Sequence, residues 1–305
     1  MFRQIAILFL SCAAVLMAGA ARAETLNVSM LLSDSSPHFR QFADAFSGAL
    51  SAKKTEVAVS ETSDLRDGAD LIVAVGMKAS EQAVAQSKTP VLAVMIPDNG
   101  LQALLEQPSR KLPARLISAV YLNQPLDRQL DFLQAAFPER RRIGLLHSPD
   151  PLIDIADLRM QIAKRGGSLA VQEVPSADKL FPSLEKVFAG SDLLLAIADS
   201  EIYNSSSIRN ILLTGYRNGV PLVGISQSYV NAGALCAIFS TTEQMAGQAG
   251  ATVILFSRNR KLSDPQYPAE FTIAVNQQVA RSMGIGLPSP EAIQKQMGQI
   301  RRRER

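Results

Sequence analysis

The sequence predicts an α/β protein made of two doubly wound, parallel-sheet lobes. Residues 70–97 run DLIVAVG, a polar helical segment, then TPVLAVMIP. Residues 192–226 run DLLLAIAD, a polar helical segment, then VPLVGIS. Upstream of each, TLNVSMLLSD (25–34) and RRIGLLHSPD (141–150) are strands that end in Ser and Asp and lead into a helix. The chain therefore holds two copies of one β-α-β-α-β unit. Near-continuous apolar strands between amphipathic segments imply parallel sheets covered on both faces.

In the first unit, apolar runs place strands near 26–33, 55–60, 70–75, 91–96 and 116–121. Helical periodicity falls at 38–52, after Pro37, and at 78–86. The segment YLNQP at 121–125 is the expected first crossing between lobes, before a helix at 125–136. The second unit gives strands near 142–147, 168–174, 192–198, 221–225 and 234–239. Its helices fall near 152–165, 178–189 and 205–218. After 239 the pattern changes to a helix at 242–257, a loop with two prolines (SDPQYP, 263–268), a strand at 271–275 and a helix at 276–283. Elements left over after two complete units return to finish the earlier lobe, which puts hinge strands near 118–123, 239–242 and 268–272. The expected division is a leader at 1–23, one lobe at 24–120 plus 241–268, the other at 121–240 plus 269–295, and a basic tail at 296–305 whose final RRRER is frayed and solvated.

The leader is an expected signal peptide. Arg3 is its positive start, Ile5 to Met17 is the apolar run, and Ala21-Arg22-Ala23 fits the small-x-small cleavage pattern. The mature chain then begins at Glu24 in the periplasm. Leu10-Ser11-Cys12 is the alternative, a lipoprotein-type site, but only about half a normal apolar run precedes it and the ordinary site that follows fits better. Loss of Arg3 and Arg22 lowers the formal charge from +3 to +1, so no bulk charge favours nucleic acid. Cys236 is then the only cysteine; in the run ALCAIF it reads as a small core residue, and no internal disulfide can form. No Gly-rich phosphate loop follows a strand, and His38 and His147 form no ligand cluster, so neither cofactor nor metal is expected.

In open parallel sheets ligands bind beyond the carboxyl ends of the strands. Helix N-termini there offer free N–H groups and partial positive charge. In the first unit this rule selects Ser33, Asp34 and Ser35, then Gly76 and Met77. In the second it selects His147, Asp199, Tyr203, Asn204, Ser226 and Tyr229. Each has a structural alternative: Ser33 to Ser35 and Asp199 can cap helices, and the tyrosines can wall the core. Asp199 is the expected carboxylate partner of a ligand donor, and Ser33 and Asp34 are expected to face Asp199 and Ser226 across a cleft. Gly224 to Ser228 has the outline of a nucleophile elbow but lacks its last glycine, so no enzyme is expected.

The runs ADLIVAVG, TPVLAVMIPD, VPLVGISQSYVNAGALCAIFS and FTIAVNQQVARSMGIGLP resemble ABC transporter substrate-binding proteins of the type I periplasmic-binding-protein fold, in the branch with tryptophan- and tyrosine-binding members. The resemblance implies two Rossmann-like lobes, three crossovers, a small molecule in the cleft and an inner-membrane ABC permease as partner. It differs at Gly76-Met77-Lys78, where many members have Gly-Thr, and at Pro97-Asp98-Asn99, where Asp-Pro is common; both places are where the resemblance implies the ligand sits, which adds Asp98 to the expected binding residues. The expected function is capture, by hinge closure, of a small polar or amphipathic molecule, an amino acid or related compound among the candidates, by a monomer that serves an importer. A periplasmic ligand-binding or sensor module without transport is the alternative.

Overall fold

The computed structural model describes residues 25–303, apart from 54–55, 63–64, 66–67 and 152. The expected leader lies outside the described residues. All eleven expected strands are present.

The first sheet holds β1 (Leu26–Leu32), β2 (Val57–Thr62), β3 (Leu71–Val75), β4 (Val91–Ile96) and β5 (Ile117–Tyr121), in the order β2-β1-β3-β4-β5. Every pair in it is parallel. Central β3 (LIVAV) is buried throughout, while edge strand β2 alternates between half-buried and exposed. The second sheet holds β6 (Arg142–His147), β7 (Ser168–Glu173), β8 (Leu193–Leu195), β9 (Leu222–Gly224), β10 (Cys236–Phe239) and β11 (Thr272–Val275). Its order, β11-β10-β9-β8-β6-β7, repeats that of the first sheet and adds β11 antiparallel to β10. The switch points therefore lie between β1 and β3 and between β6 and β8.

Helix α1 (Pro37–Ala52) buries Phe39, Phe42, Ala43, Phe46 and Leu50, the spacing of one apolar face. That face closes against α9 (Thr242–Asn259), whose Met245, Ala246, Ala249 and Val253 share its core. Helix α9 starts with a capping box in which Thr241 and Gln244 satisfy each other's backbone N–H groups. The other expected helices are α2 (Met77–Gln86), α4 (Leu126–Ala136), α5 (Ile155–Lys164), α6 (Leu180–Ala189), α7 (Ile208–Arg217) and α10 (Gln277–Ser282).

Three helices were not expected: α3 (Asp98–Glu106), α8 (Gln227–Ala232) and α11 (Pro290–Arg303). Asn99-Gly100 reads as a turn signal and conceals the start of α3. Helix α8 is too short to show a period. Over 296–303 helix α11 takes the place of the expected tail. Its Ile293 and Met297 are buried, four residues apart, in the core beneath α4. Arg301 Nε donates to Asp131 Oδ2 at 3.1 Å, and Arg165 lies 3.6 Å from the other oxygen of the same carboxylate. Asp131 is only 1 % exposed, so the two guanidinium groups supply the charge partners that a buried carboxylate requires.

The chain passes between the sheets three times, after β5 through 122–125, after β10 through 240–241, and after α9 through 260–271. The third passage runs beside β5: Tyr121 N–H donates to the Gln266 carbonyl and Gln266 N–H to the Ala119 carbonyl, each at 2.9 Å. Side chains join all three. Gln124 Nε2 donates to Ser240 Oγ at 2.9 Å, and Ser240 Oγ donates to the Glu270 carbonyl at 2.6 Å.

Candidate functional site: the cleft between the lobes

A cleft of about 690 Å³ opens between the carboxyl ends of the two sheets. The first sheet supplies Pro97, Asp98 and Asn99 after β4 and Leu122, Asn123 and Gln124 after β5. The second supplies Ile153, Asp154 and Asp157 after β6, Leu195 to Ala198 at β8, Val223 to Ser226 at β9, and the end of β10. Tyr267, on the third passage, completes the wall. Leu122, Leu126, Phe132, Ile197, Ile225 and Phe239 give the cleft apolar faces. Asp98, Asn123, Gln129, Asp154, Asp157 and Ser226 give it polar ones. A mostly apolar concavity with a few polar groups is the usual form of a small-molecule site.

Backbone geometry aims the Asp98 corner. Met95 has φ +57° at a bulge where the β4–β5 register shifts between Val94 and Ile96. A non-glycine residue in this left-handed region costs about 1–2 kcal/mol. The bulge directly precedes Pro97-Asp98-Asn99, which line the cleft. The Asp98 N–H donates to Asn123 Oδ1 at 2.9 Å, which ties the ends of β4 and β5 together. Tyr267 Oη donates to Asp98 Oδ2 at 2.6 Å, and its ring meets Tyr121 edge-on at 5.0 Å. Burial first, then the hydrogen bond to Asp98, push the Tyr267 phenol above its ordinary range.

Of the residues selected from sequence, Asp98 and Ser226 line this cleft. The others lie in the adjoining loops with their polar groups engaged by the chain itself. Ser33 Oγ accepts from Ala79 N–H at 3.0 Å, capping α2 from the neighbouring loop. Gly76, the N-cap of α2, has φ +86°, and a Cβ there would lie 2.6 Å from Ser33 Oγ. Met77 sits with its sulfur against Gly100. Asp34 accepts from Ser36 N–H at 2.8 Å, and Ser35 is exposed beside it. His147 Nδ1 meets the Ser148 carbonyl at 2.7 Å. Strand β8 lies between the strands that carry His147 and Ser226.

Asp199 is 2 % exposed and is not among the cleft residues. Its two oxygens accept from Ser148 N–H at 2.8 Å and Glu201 N–H at 3.1 Å. Asn204 Oδ1 accepts from the N–H groups of Ser206 and Ser207, closing the turn before α7. Tyr229 Oη donates to the Tyr203 carbonyl at 3.1 Å, and the buried Tyr203 ring belongs to the core. The expected facing of Ser33 and Asp34 toward Asp199 and Ser226 is thus not the arrangement of this cleft. Short polar side chains at strand ends serve local backbone donors first.

Sequence reasoning passed over Asn123, Gln124, Gln129, Asp154, Asp157 and Tyr267. Asn123 and Gln124 were visible only as a crossing, and Tyr267 only as part of a proline loop. Asp154 and Asp157 carried a usable signal, because a helix-opening aspartate after β6 sits at a switch point. A second cavity, of about 250 Å³, lies at the amino end of β6 beneath α11, lined by Arg140, Arg141 and Arg165 among others. The larger cleft is the better site because it joins both lobes at the strand ends where such sheets bind ligands.

Two repeated α/β lobes around an apolar-walled cleft define a two-lobed binding protein. The chain belongs to the ABC transporter substrate binding protein family, whose model matches residues 43–300. Its fold is similar to that of the ABC domain in complex with L-Trp from Streptococcus pneumoniae, with a TM-score of 0.65 and 17% identity over 90% of this chain and 98% of that one. It is also similar to the ligand-free, open structure of a substrate binding protein with adhesive properties from Clostridium difficile, with a TM-score of 0.69 and 16% identity over 88% and 97% of the two chains. A conserved domain protein from Vibrio cholerae gives a TM-score of 0.64 and 17% identity over 90% and 98%. No curated protein sequence matches this chain. Family and fold are those of extracytoplasmic binding proteins with a small-molecule ligand and a permease partner. Among the described residues, no helix is long and apolar enough to cross a membrane.

Proposed function

We propose that this chain captures a small amphipathic molecule between its lobes and delivers it to an ABC-type importer in the inner membrane. The cleft of about 690 Å³ carries the reading, because both sheets contribute apolar walls and polar groups to one space. Ligand that touches both lobes binds the closed form better than the open one and shifts the population toward it. The closed surface is then what a permease recognises. The leader directs the chain to the periplasm, with Glu24 as the first mature residue.

The test is mass spectrometry of the small molecules released by denaturing protein purified from its own periplasm. Small-angle scattering with the released compound added back to ligand-free protein completes it. Stoichiometric recovery of one compound and a smaller radius of gyration at saturation are expected. A protein that neither carries nor closes on any small molecule would overturn the reading.

A further inference from the structure

The charges around the cleft are one-sided. Asp98, Asp154 and Asp157 line it, and no lysine, arginine or histidine does. Among the described residues, none of the three carboxylates forms an ion pair with a basic side chain. Basic side chains gather instead at the far end of the second sheet, where Arg140, Arg141 and Arg165 surround the smaller cavity.

An independent observation concerns the backbone donors. Helix N-termini at such a cleft could hold an anion through their free N–H groups; at α2, α3 and α5 the chain itself takes one or more of these groups, while α4 and α8, which start at Leu126 and Gln227, carry no side-chain cap. Ala79 N–H on α2 is taken by Ser33 Oγ. On α3, Asp98 N–H is taken by Asn123 Oδ1 and Asn99 N–H by Asp98 Oδ1. On α5, Asp157 N–H is taken by Asp154 Oδ1 at 3.0 Å. The N–H groups of Ser148 and Glu201, after β6 and β8, are taken by Asp199. A ligand carboxylate would enter a cleft with three like charges, no cation and these donors occupied. Like charges brought together in a partly desolvated site repel strongly.

Resting on the reading of this cleft as the solute site, we propose that its ligand is an organic cation: an amine or quaternary ammonium on an apolar body, with no carboxylate. The ammonium lies toward the Asp98 and Asp154–Asp157 sides, and the apolar body lies against Leu122, Phe132 and Ile225. The acidic cleft also draws cations in by their long-range field, so association slows as salt rises. Rejection of the isosteric carboxylate is as much a part of the specificity as attraction of the amine.

The experiment is calorimetric titration of the mature protein with matched series on indole, phenyl and cyclohexyl bodies. Each series offers an amine, its amino acid, its carboxylate and its neutral ethyl analogue; in the indole series these are tryptamine, tryptophan, indole-3-propionate and 3-ethylindole. At least one amine is expected to bind about tenfold or more tighter than every partner in its series. Asp98→Asn and Asp154→Asn/Asp157→Asn should each weaken it by about tenfold while the melts show folded protein. An amino acid, carboxylate or neutral compound that binds as tightly as its amine, or an amine unaffected by all these variants, would overturn the cation assignment and leave solute binding intact. Absence of saturable binding by every compound at about 1 mM would count against both readings.

Discussion

The Arg128 guanidinium donates to Gln124 Oε1 at 2.6 Å, one turn earlier at the foot of the first crossing. The same group donates to the Pro268 carbonyl on the third crossing at 2.7 Å, and it lies 5.0 Å from the Phe271 ring. Through Gln124 and Ser240 the network reaches the second crossing. Arg128 is buried, and its pKa is lowered first by that burial and then by nearby Arg301. The charge is held by amide and carbonyl oxygens and an aromatic ring, at the crossings that join the lobes.

Arg128→Met is expected to destabilise the protein by about 1–3 kcal/mol, because it leaves Gln124 Oε1 and the Pro268 carbonyl buried without their donor. Arg128→Lys is expected to recover only part of this, since one ammonium does not reproduce the planar fork. Urea melts give the stability. Small-angle scattering of the ligand-free variants should show a wider spread of interlobe distances. Unchanged melts and scattering would mean that the network does not restrain the hinge.

Asp199→Ala is expected to lower stability by about 1–3 kcal/mol, because two backbone donors lose their acceptor. Ligand affinity should stay within about twofold, as the carboxylate is turned to Ser148 and Glu201 rather than to the cleft. Titration of the native ligand beside a melt separates the two effects. A large loss of affinity with an unchanged melt would restore Asp199 to the binding site.

Gly76→Ala is expected to cost about 1–3 kcal/mol, since alanine meets both an unfavourable φ and the Ser33 hydroxyl. Ser33→Ala alone should cost about 1 kcal/mol as a lost helix cap. The two share one contact, so the double variant should fall short of additivity. Three melts close the cycle, and strict additivity would show that the crowding seen at Gly76 relaxes without strain.

Tyr267→Phe tests the corner that holds Asp98. The folded phenol has a raised pKa, so its bond stabilises the protein fully below the ordinary tyrosine pKa of about 10 and loses that effect as pH climbs above it. The ring is 39% exposed, so the bond is worth no more than about 1 kcal/mol. The gap between wild-type and variant melts should be constant near neutrality and shrink in alkali. A gap indifferent to alkaline pH would mean that the Tyr267–Asp98 bond does not form in solution.

The strands were legible because parallel strands buried on both faces are nearly uninterrupted apolar runs, as in LIVAV and VLAVMI. Helix α11 was not, because PEAIQKQMGQIRRR shows large apolar residues only at Ile293, Met297 and Ile300, a stripe that a run of arginines masks. The site was legible as a set of loops but not as a set of side chains. Ser33 and Asp199 are the residue types that bind ligands at strand ends, and they are also the types that satisfy a bare backbone N–H. Only the fold shows which demand lies closer. Asn123 and Tyr267 enter the cleft because β4, β5 and the third crossing meet there, a meeting that no local pattern records.

The seam between α1 and α9 governs the order in which the chain can fold. Phe42 and Phe46 of α1 are sealed by Met245, Ala249 and Val253, which are synthesised only after all but the last strand of the second lobe. A ribosome therefore releases a first lobe whose apolar face stays open until most of the polypeptide has emerged, and closure of so long a loop is slow. Each lobe waits on the other for its completion. A nascent chain built this way remains unfolded longer than one made of two consecutive domains, which suits the export proposed for it.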